Sequence, residues 1–226
     1  MREIVLDTET TGLSTKEGHR IVEIGCIELD NLIPTQKKFH VYLNPERKVS
    51  EKALEVHGYT DEFLSTKKKF IDISDEFLDF ISKKRIIIHN AEFDLSHINN
   101  ELKIIGKKEI NNEIVDTLTL ARNKFPGSSA SLDALCKRYR IDNSKRKKHT
   151  ALIDCDLLAK VYINLIDQKE PTLALENHDQ QTNKLKTDVV SYFKGIIKPS
   201  EQEIKLHNEF LKKNIKKNFY WSVLSL

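Results

Sequence analysis

Apolar positions along this chain follow two different periods. Residues 3–9 (EIVLDTE), 21–30 (IVEIGCIELD) and 37–44 (KKFHVYLN) are β-branched or alternating runs joined by short links, which predicts three strands in an antiparallel meander. Residues 85–90 (RIIIHN) form a continuous β-branched run, the mark of a central buried strand. Between and after these lie helical patterns. Residues 50–58 (SEKALEVHG) carry Ser50 as a cap and Gly58 as a stop. Residues 72–84 (DISDEFLDFISKK) place Ile73, Phe77, Leu78 and Ile81 on one face. Residues 93–105, 131–140 and 150–166 read as further helices, and 112–122 (NEIVDTLTLAR) as a strand running into a short helix. A meander followed by alternating helices and strands predicts an α/β fold: a mixed β-sheet, three antiparallel strands plus parallel ones, flanked by helices.

The pattern changes near residue 167. Residues 168–186 are polar and irregular and read as a flexible linker. Residues 199–213 (PSEQEIKLHNEFLKK) form an amphipathic helix in which Ser200 and Glu203 make a capping box, and 218–226 (NFYWSVLSL) are rich in large apolar groups. So short a segment builds little core, so 187–226 is expected to dock on something. The division expected is 1–167, a folded domain; 168–186, a linker; and 187–226, a docking segment.

With 226 residues, 39% hydrophobic and 31% charged, the composition is that of a folded globular protein. No apolar run approaches the ~20 residues of a membrane span, and Met1-Arg2-Glu3 starts no signal peptide, so a cytoplasmic protein without membrane association is expected. Cys26, Cys136 and Cys155 lack metal or redox spacing and read as reduced thiols. A net charge of +3 advertises no global basic field, but the positive charge is clumped. The runs at 67–69 and 83–85 read as solvated loops, whereas SKRKKH at 144–149 abuts a histidine and is placed to attract phosphate.

The chemistry begins with the first strand. Asp7 and Glu9 are two apart, so they share a strand face while Thr8 points to the other. Acids at the inner end of an apolar strand are rarely tolerated unless paired or metal-bound. The fourth buried run ends in His89-Asn90, either turn residues or site residues, and Asp94 follows at a helix start. In HTALIDCDLLAKVY, His149 stands at or just before a helix start. Asp154 lies by the apolar stripe, and Asp156, four before Lys160, competes with it as a ligand but should face water. Four convergent carboxylates repel one another without cations, and all-oxygen donors select Mg²⁺ or Mn²⁺. Two such ions ~3.5–4 Å apart would clamp a scissile phosphate, with a histidine as base for the attacking water.

DTETTG, VHG…DEFL, HNAEFD, SLDALCKRYRIDNSKRKKH and HTALIDCDLLAKVY, in this order, resemble the DEDDh exonucleases, and within them the proofreading epsilon-type subunits of bacterial DNA polymerase III. The resemblance covers roughly residues 3–165. It implies an RNase H-like fold and 3′–5′ hydrolysis of 3′-terminal nucleotides of DNA. It implies Asp7, Glu9 and Asp154 as ligands of two Mg²⁺ or Mn²⁺ ions per site, Asp94 as the fourth acid and His149 as general base. The 3′ end would meet Asp7, Glu9, Thr10, Leu13, His57 and Asp154. Thr150 stands where the tyrosine branch of the superfamily carries its tyrosine, and Lys52 departs from an acidic position common among relatives. For 187–226, with Trp221, the resemblance implies the polymerase (alpha) subunit as partner. A theta subunit and a sliding clamp, the latter through QQTNKL at 180–185, are further expected partners. The rival readings are a free-standing DEDDh nuclease that trims RNA or oligonucleotides, and a non-catalytic structural subunit of the replicase.

Overall fold

The computed structural model describes residues 1–144, 146, 148–166 and 199–214; the side chains of 212 and 214 are not among them. The chain divides into two compact units, Met1–Leu175 and Glu176–Leu226. The expected linker, QQTNKL and Trp221 lie outside the described residues. Among the described residues no helix is long and apolar enough to cross a membrane.

The first unit is built on five strands: β1 (Arg2–Thr10), β2 (Ile21–Asp30), β3 (Ile33–Tyr42), β4 (Arg85–Ile88) and β5 (Ile114–Asp116). Their order in the sheet is β3-β2-β1-β4-β5. β1, β2 and β3 form the expected antiparallel meander, while β4 runs parallel to β1 and β5 parallel to β4. Among the described residues seven α-helices accompany them: α1 (Glu51–His57), α2 (Asp61–Ser65), α3 (Phe70–Ile81), α4 (Ala91–Ile104), α5 (Thr117–Lys124), α6 (Leu132–Tyr139) and α7 (Ala151–Leu165).

Both faces of the sheet are covered, which is why residues 4–6 of β1 and 86–88 of β4 are apolar without interruption. Ile4 and Leu6 pack with Phe70, Ile73 and Phe77 of α3 and with Ile98 and Leu102 of α4. Val5 packs on the opposite face with Ala121, Leu135, Leu158 and Val161 of α5, α6 and α7. The strand period therefore puts Asp7 and Glu9 on the α7 side and Thr8 on the α4 side.

Two close approaches hold helices to the sheet. A Cβ on Gly25 would lie 2.6 Å from the Ala151 carbonyl carbon and 2.7 Å from Leu152 N, so the first turn of α7 rests backbone to backbone on β2. Gly25 is also the cross-strand partner of Asp7. Just before the start of β2, Arg20 Nε and Nη2 donate to Glu101 Oε1 and Oε2 of α4 at 2.6 and 2.7 Å, and Ile21 N–H adds a bond of 3.3 Å to Oε1.

Local signals explain most boundaries. Ser50 Oγ accepts from Ala53 N–H at the start of α1, and Gly58 ends it at φ 82°. β3 begins at Ile33, earlier than its alternation suggests, because Asn31-Leu32 turn the hairpin with φ of 49° and 66° and no glycine. α2, capped by Thr60, is too short to leave a period. α3 starts at Phe70, where Lys69 N–H donates to Asp72. All three cysteines are buried and free. In the second unit α8 (Glu201–Asn214) has the expected capping box: Ser200 N–H and Oγ bond Glu203 Oε2, and Glu203 N–H returns to Ser200 Oγ.

Candidate active site

The carboxyl ends of β1 and β4, parallel neighbours at the centre of the sheet, open into a cleft of about 820 Å³. Such strand ends are where open α/β sheets bind ligands. Asp7, Glu9, Leu13, Asp94, His149 and Asp154 all line it.

The four acids come from three geometric solutions. Asp7 and Glu9 are delivered by the period of β1. Asp94, in the first turn of α4, reaches the site from the other sheet face, and Thr8 holds it there. Its Oδ1 accepts from Thr8 N–H at 2.9 Å and from Thr8 Oγ1 at 2.7 Å. Asp154 sits in the first turn of α7 and is buried, whereas Asp156 is exposed and bonded to Lys160 at 2.6 Å. The phase of α7 turns Asp154 into the cleft and Asp156 to solvent. Glu23, fully buried on β2 and paired across the ladder with Glu9, accepts from Ala151 N–H at 3.0 Å and so anchors the start of α7. Tyr59 Oη donates to the same carboxylate at 2.8 Å and His40 Nε2 lies 2.7 Å from it.

His149 precedes the Thr150 N-cap, with its backbone N–H on Val56 O and its side chain 45% exposed. Its Nδ1 lies 2.9 Å from Arg146 Nη2 and 3.5 Å from Asp154 Oδ2. Arg146 belongs to the basic run but turns inward. Its Nε and Nη2 donate to the two oxygens of Asp154 at 2.6 and 2.7 Å, and its Nη1 to Asp133 of α6 at 2.7 Å. Lys148 Nζ bonds the Glu55 carbonyl.

The electrostatics are those of too many acids in one place. Burial, then Asp94, Glu9 and Asp154, hold the Asp7 carboxyl well above its ordinary range. Burial, then Asp154 and Glu23, push Glu9 up to about 8. Burial pushes Asp94 up to about 7 against the opposing pull of the Thr8 hydrogen bonds. Burial and the Arg146 charge lower the pKa of His149, which favours the neutral imidazole. Acids raised this way take up protons or a cation. Ligand atoms of Glu9, His149 and Asp154 lie within 4.8 Å of one another, and the predominance of carboxylate oxygen suits a hard divalent ion.

A second pocket of about 410 Å³ adjoins the first, sharing Glu9 and Leu13 with it and adding Thr10, Lys52 and His57. His57, at the end of α1, is buried; its Nδ1 accepts from Tyr59 N–H, and its Nε2 lies 3.3 Å from Thr10 O. Leu13 is 81% exposed at the junction of the two pockets. His89 and Asn90 form the bend before α4 and also line the cleft: His89 Nδ1 bonds Thr117 Oγ1 and Asn90 N–H bonds Asp116.

Three residues of this site do not stand out as site residues in the sequence: Thr8, Glu23 and Arg146. Glu23 carried the clearest signal, an acid inside an apolar strand like Asp7 itself.

A family model described as exonuclease (RNase T) matches residues 4–162. The DNA polymerase III subunit epsilon of Rickettsia felis is 45% identical over 224 residues, which cover 96% of this chain and 98% of that one. The DNA polymerase III subunit epsilon of Escherichia coli (strain K12) is 45% identical over 190 residues, covering 80% of this chain and 78% of that one. Among solved structures, Exonuclease X in complex with 5′ overhanging duplex DNA superposes with a TM-score of 0.60 at 25% identity, over 74% of this chain and 92% of that chain. The nuclease domain of 3′hExo, a DEDDh family member bound to rAMP, superposes with a TM-score of 0.65 at 16% identity over the same shares and speaks for the fold alone. The mixed sheet flanked by helices is thus the RNase H-like fold of these nucleases. Matched in sequence over most of its length, the chain belongs to the RNase T exonuclease family, and within it sits with the epsilon subunits of bacterial DNA polymerase III.

Proposed function

We propose that this proofreading 3′–5′ exonuclease works through Asp7, Glu9 and Asp154 as ligands of two Mg²⁺ or Mn²⁺ ions, with His149 as general base. The observation that carries the reading is the convergence of four acids, three of them held above the ordinary carboxylate range, on one cleft beside a half-exposed histidine. When bound, the cations would supply positive charge against the scissile phosphate and acidify the attacking water. The protein supplies the rest. Neutral His149 takes the proton of that water at a ring nitrogen. Thr8 fixes Asp94, and Glu23 fixes the helix that carries Asp154. The terminal nucleoside enters the adjoining pocket, where Leu13 packs on the base and Thr10 and His57 form the wall.

The substrate is the 3′ end of DNA, and the work is done within the polymerase III core in the bacterial cytoplasm. Residues 187–226, containing the capped helix α8, bind the polymerase (alpha) subunit across the 168–186 linker, and theta and the sliding clamp are further partners. The test is digestion of a primer annealed to a template, paired or mismatched at its 3′ end, with Mg²⁺ or with chelator, beside a single-stranded RNA. Faster Mg²⁺-dependent loss from the mismatch is expected, with none by Asp7→Ala. Preference for RNA would overturn the DNA assignment, and activity in chelator would overturn the cation reading.

A further inference from the structure

We propose that Arg146 is an internal counterion for Asp154, occupying that carboxylate in the cation-free chain and displaced from it when a divalent cation enters. The inference rests on the cation reading above and adds a competitor to it. Arg146 engages both oxygens of Asp154 through the guanidinium fork, at 2.6 and 2.7 Å, and is 8% exposed, so it is committed to the site and not to solvent. A guanidinium and a divalent cation cannot share one carboxylate without repelling each other.

The same side chain reaches the base. A guanidinium only donates, so the 2.9 Å contact makes His149 Nδ1 an acceptor and places the proton of the neutral ring on Nε2. One arginine therefore ties up a proposed ligand and the proposed base together, with Asp133 of α6 as a second anchor at 2.7 Å. It comes from the loop between α6 and α7, whose far end is bound to α1 through Lys148 Nζ on Glu55 O and His149 N–H on Val56 O. Displacement frees both oxygens of Asp154 and the Nδ1 of His149 in one movement of a loop side chain.

The experiment is Mn²⁺ binding to the full chain without DNA, read as the loss of the free-ion electron paramagnetic resonance signal. Arg146→Ala is expected to bind Mn²⁺ about tenfold more tightly than the parent. Arg146→Lys keeps the charge and loses the fork, and should bind roughly threefold more tightly. Imidazole ¹⁵N shifts should report the Nε2–H form of His149 in the cation-free parent, with its Nδ1 resonance moved by Mg²⁺ and by Arg146→Ala as the donated bond is lost. Unchanged or weaker Mn²⁺ binding in Arg146→Ala would make Arg146 a support of the loaded site and overturn the proposal. Tightening in Arg146→Ala with parental affinity in Arg146→Lys would reduce the effect to net charge and overturn the fork. Failure of the folded parent to bind Mn²⁺ at all would overturn the cation reading and this inference with it.

Discussion

Among the described residues two bidentate arginine–carboxylate pairs stand out, with the same distances and different settings. Arg20 grips Glu101 at 2.6 and 2.7 Å, and Arg146 grips Asp154 at 2.6 and 2.7 Å. Glu101 is matched charge for charge and also accepts from the Ile21 backbone, and its partner stands at the edge of a strand. Asp154 shares its single guanidinium with Asp133 and lies among Asp7, Glu9 and Asp94, and its partner comes from a loop. A fork alone does not say what a pair is for. The charge around it does: the first pair closes a structure, while the second leaves a negative surplus that a divalent ion can resolve.

The sharpest way to separate the two is to remove an acid from each. Glu9→Ala should lower single-turnover hydrolysis of a mismatched primer by about 10³-fold or more while the fold survives; residual activity near the parent's would remove Glu9 from the machinery. Glu101→Ala should instead cost ~3–5 kcal/mol by stranding Arg20, read as a Tm lower by roughly 10 °C, with Mn²⁺ affinity unchanged.

Next in size is a gain. Asp7→Asn in chelator at pH 8 should raise Tm by a few degrees, about 1–3 kcal/mol, because one buried repulsive charge is gone. A fall in Tm would show that Asp7 stabilises the cation-free fold. The pH dependence has the matching sign. Glu9 titrates near 8 when folded against an ordinary 4.5, so the folded chain holds a proton the unfolded one has released, and stability falls as pH rises through that interval. His57, His89, His97 and His149 are shifted downward by burial and act oppositely, since stability they contribute is lost as pH drops below their unfolded value of about 6.5. Between pH 7 and 8.5 the acids therefore dominate. Cation-free Tm should fall across that window and Mg²⁺ should flatten the fall; a rise would refute the assignment. The smallest effect expected is for Thr8→Val, which keeps the backbone bond to Asp94 and loses the hydroxyl, lowering kcat by roughly threefold to tenfold.

Much of this was legible in the sequence, and the limits have physical causes. The meander and the positions of Asp7, Glu9, Asp94, His149 and Asp154 at strand and helix ends follow from period and spacing, because those periods act locally; that these ends form one site is what the resemblance to the DEDDh exonucleases implies. The same period puts Thr8 on the face away from Asp7. That Asp94 waits on that face is a tertiary fact, since α4 crosses there. Arg146 was hidden in a run of like charges, and its inward turn depends on Asp133 and Asp154 being brought together by two helices. The Glu23 partners, Tyr59, His40 and the Ala151 N–H, come from three separate stretches of chain. The glycine-free turn at Asn31-Leu32 gave no signal for the start of β3.

Gly25 carries a consequence for heredity. The spacing between the strand that bears Asp7 and the helix that bears Asp154 is set where two backbones touch, at a residue with no side chain to adjust. One added methyl there would part the acids without altering any of them. A cell carrying Gly25→Ala would be expected to record the defect in its descendants, as a rise in spontaneous mutations per generation.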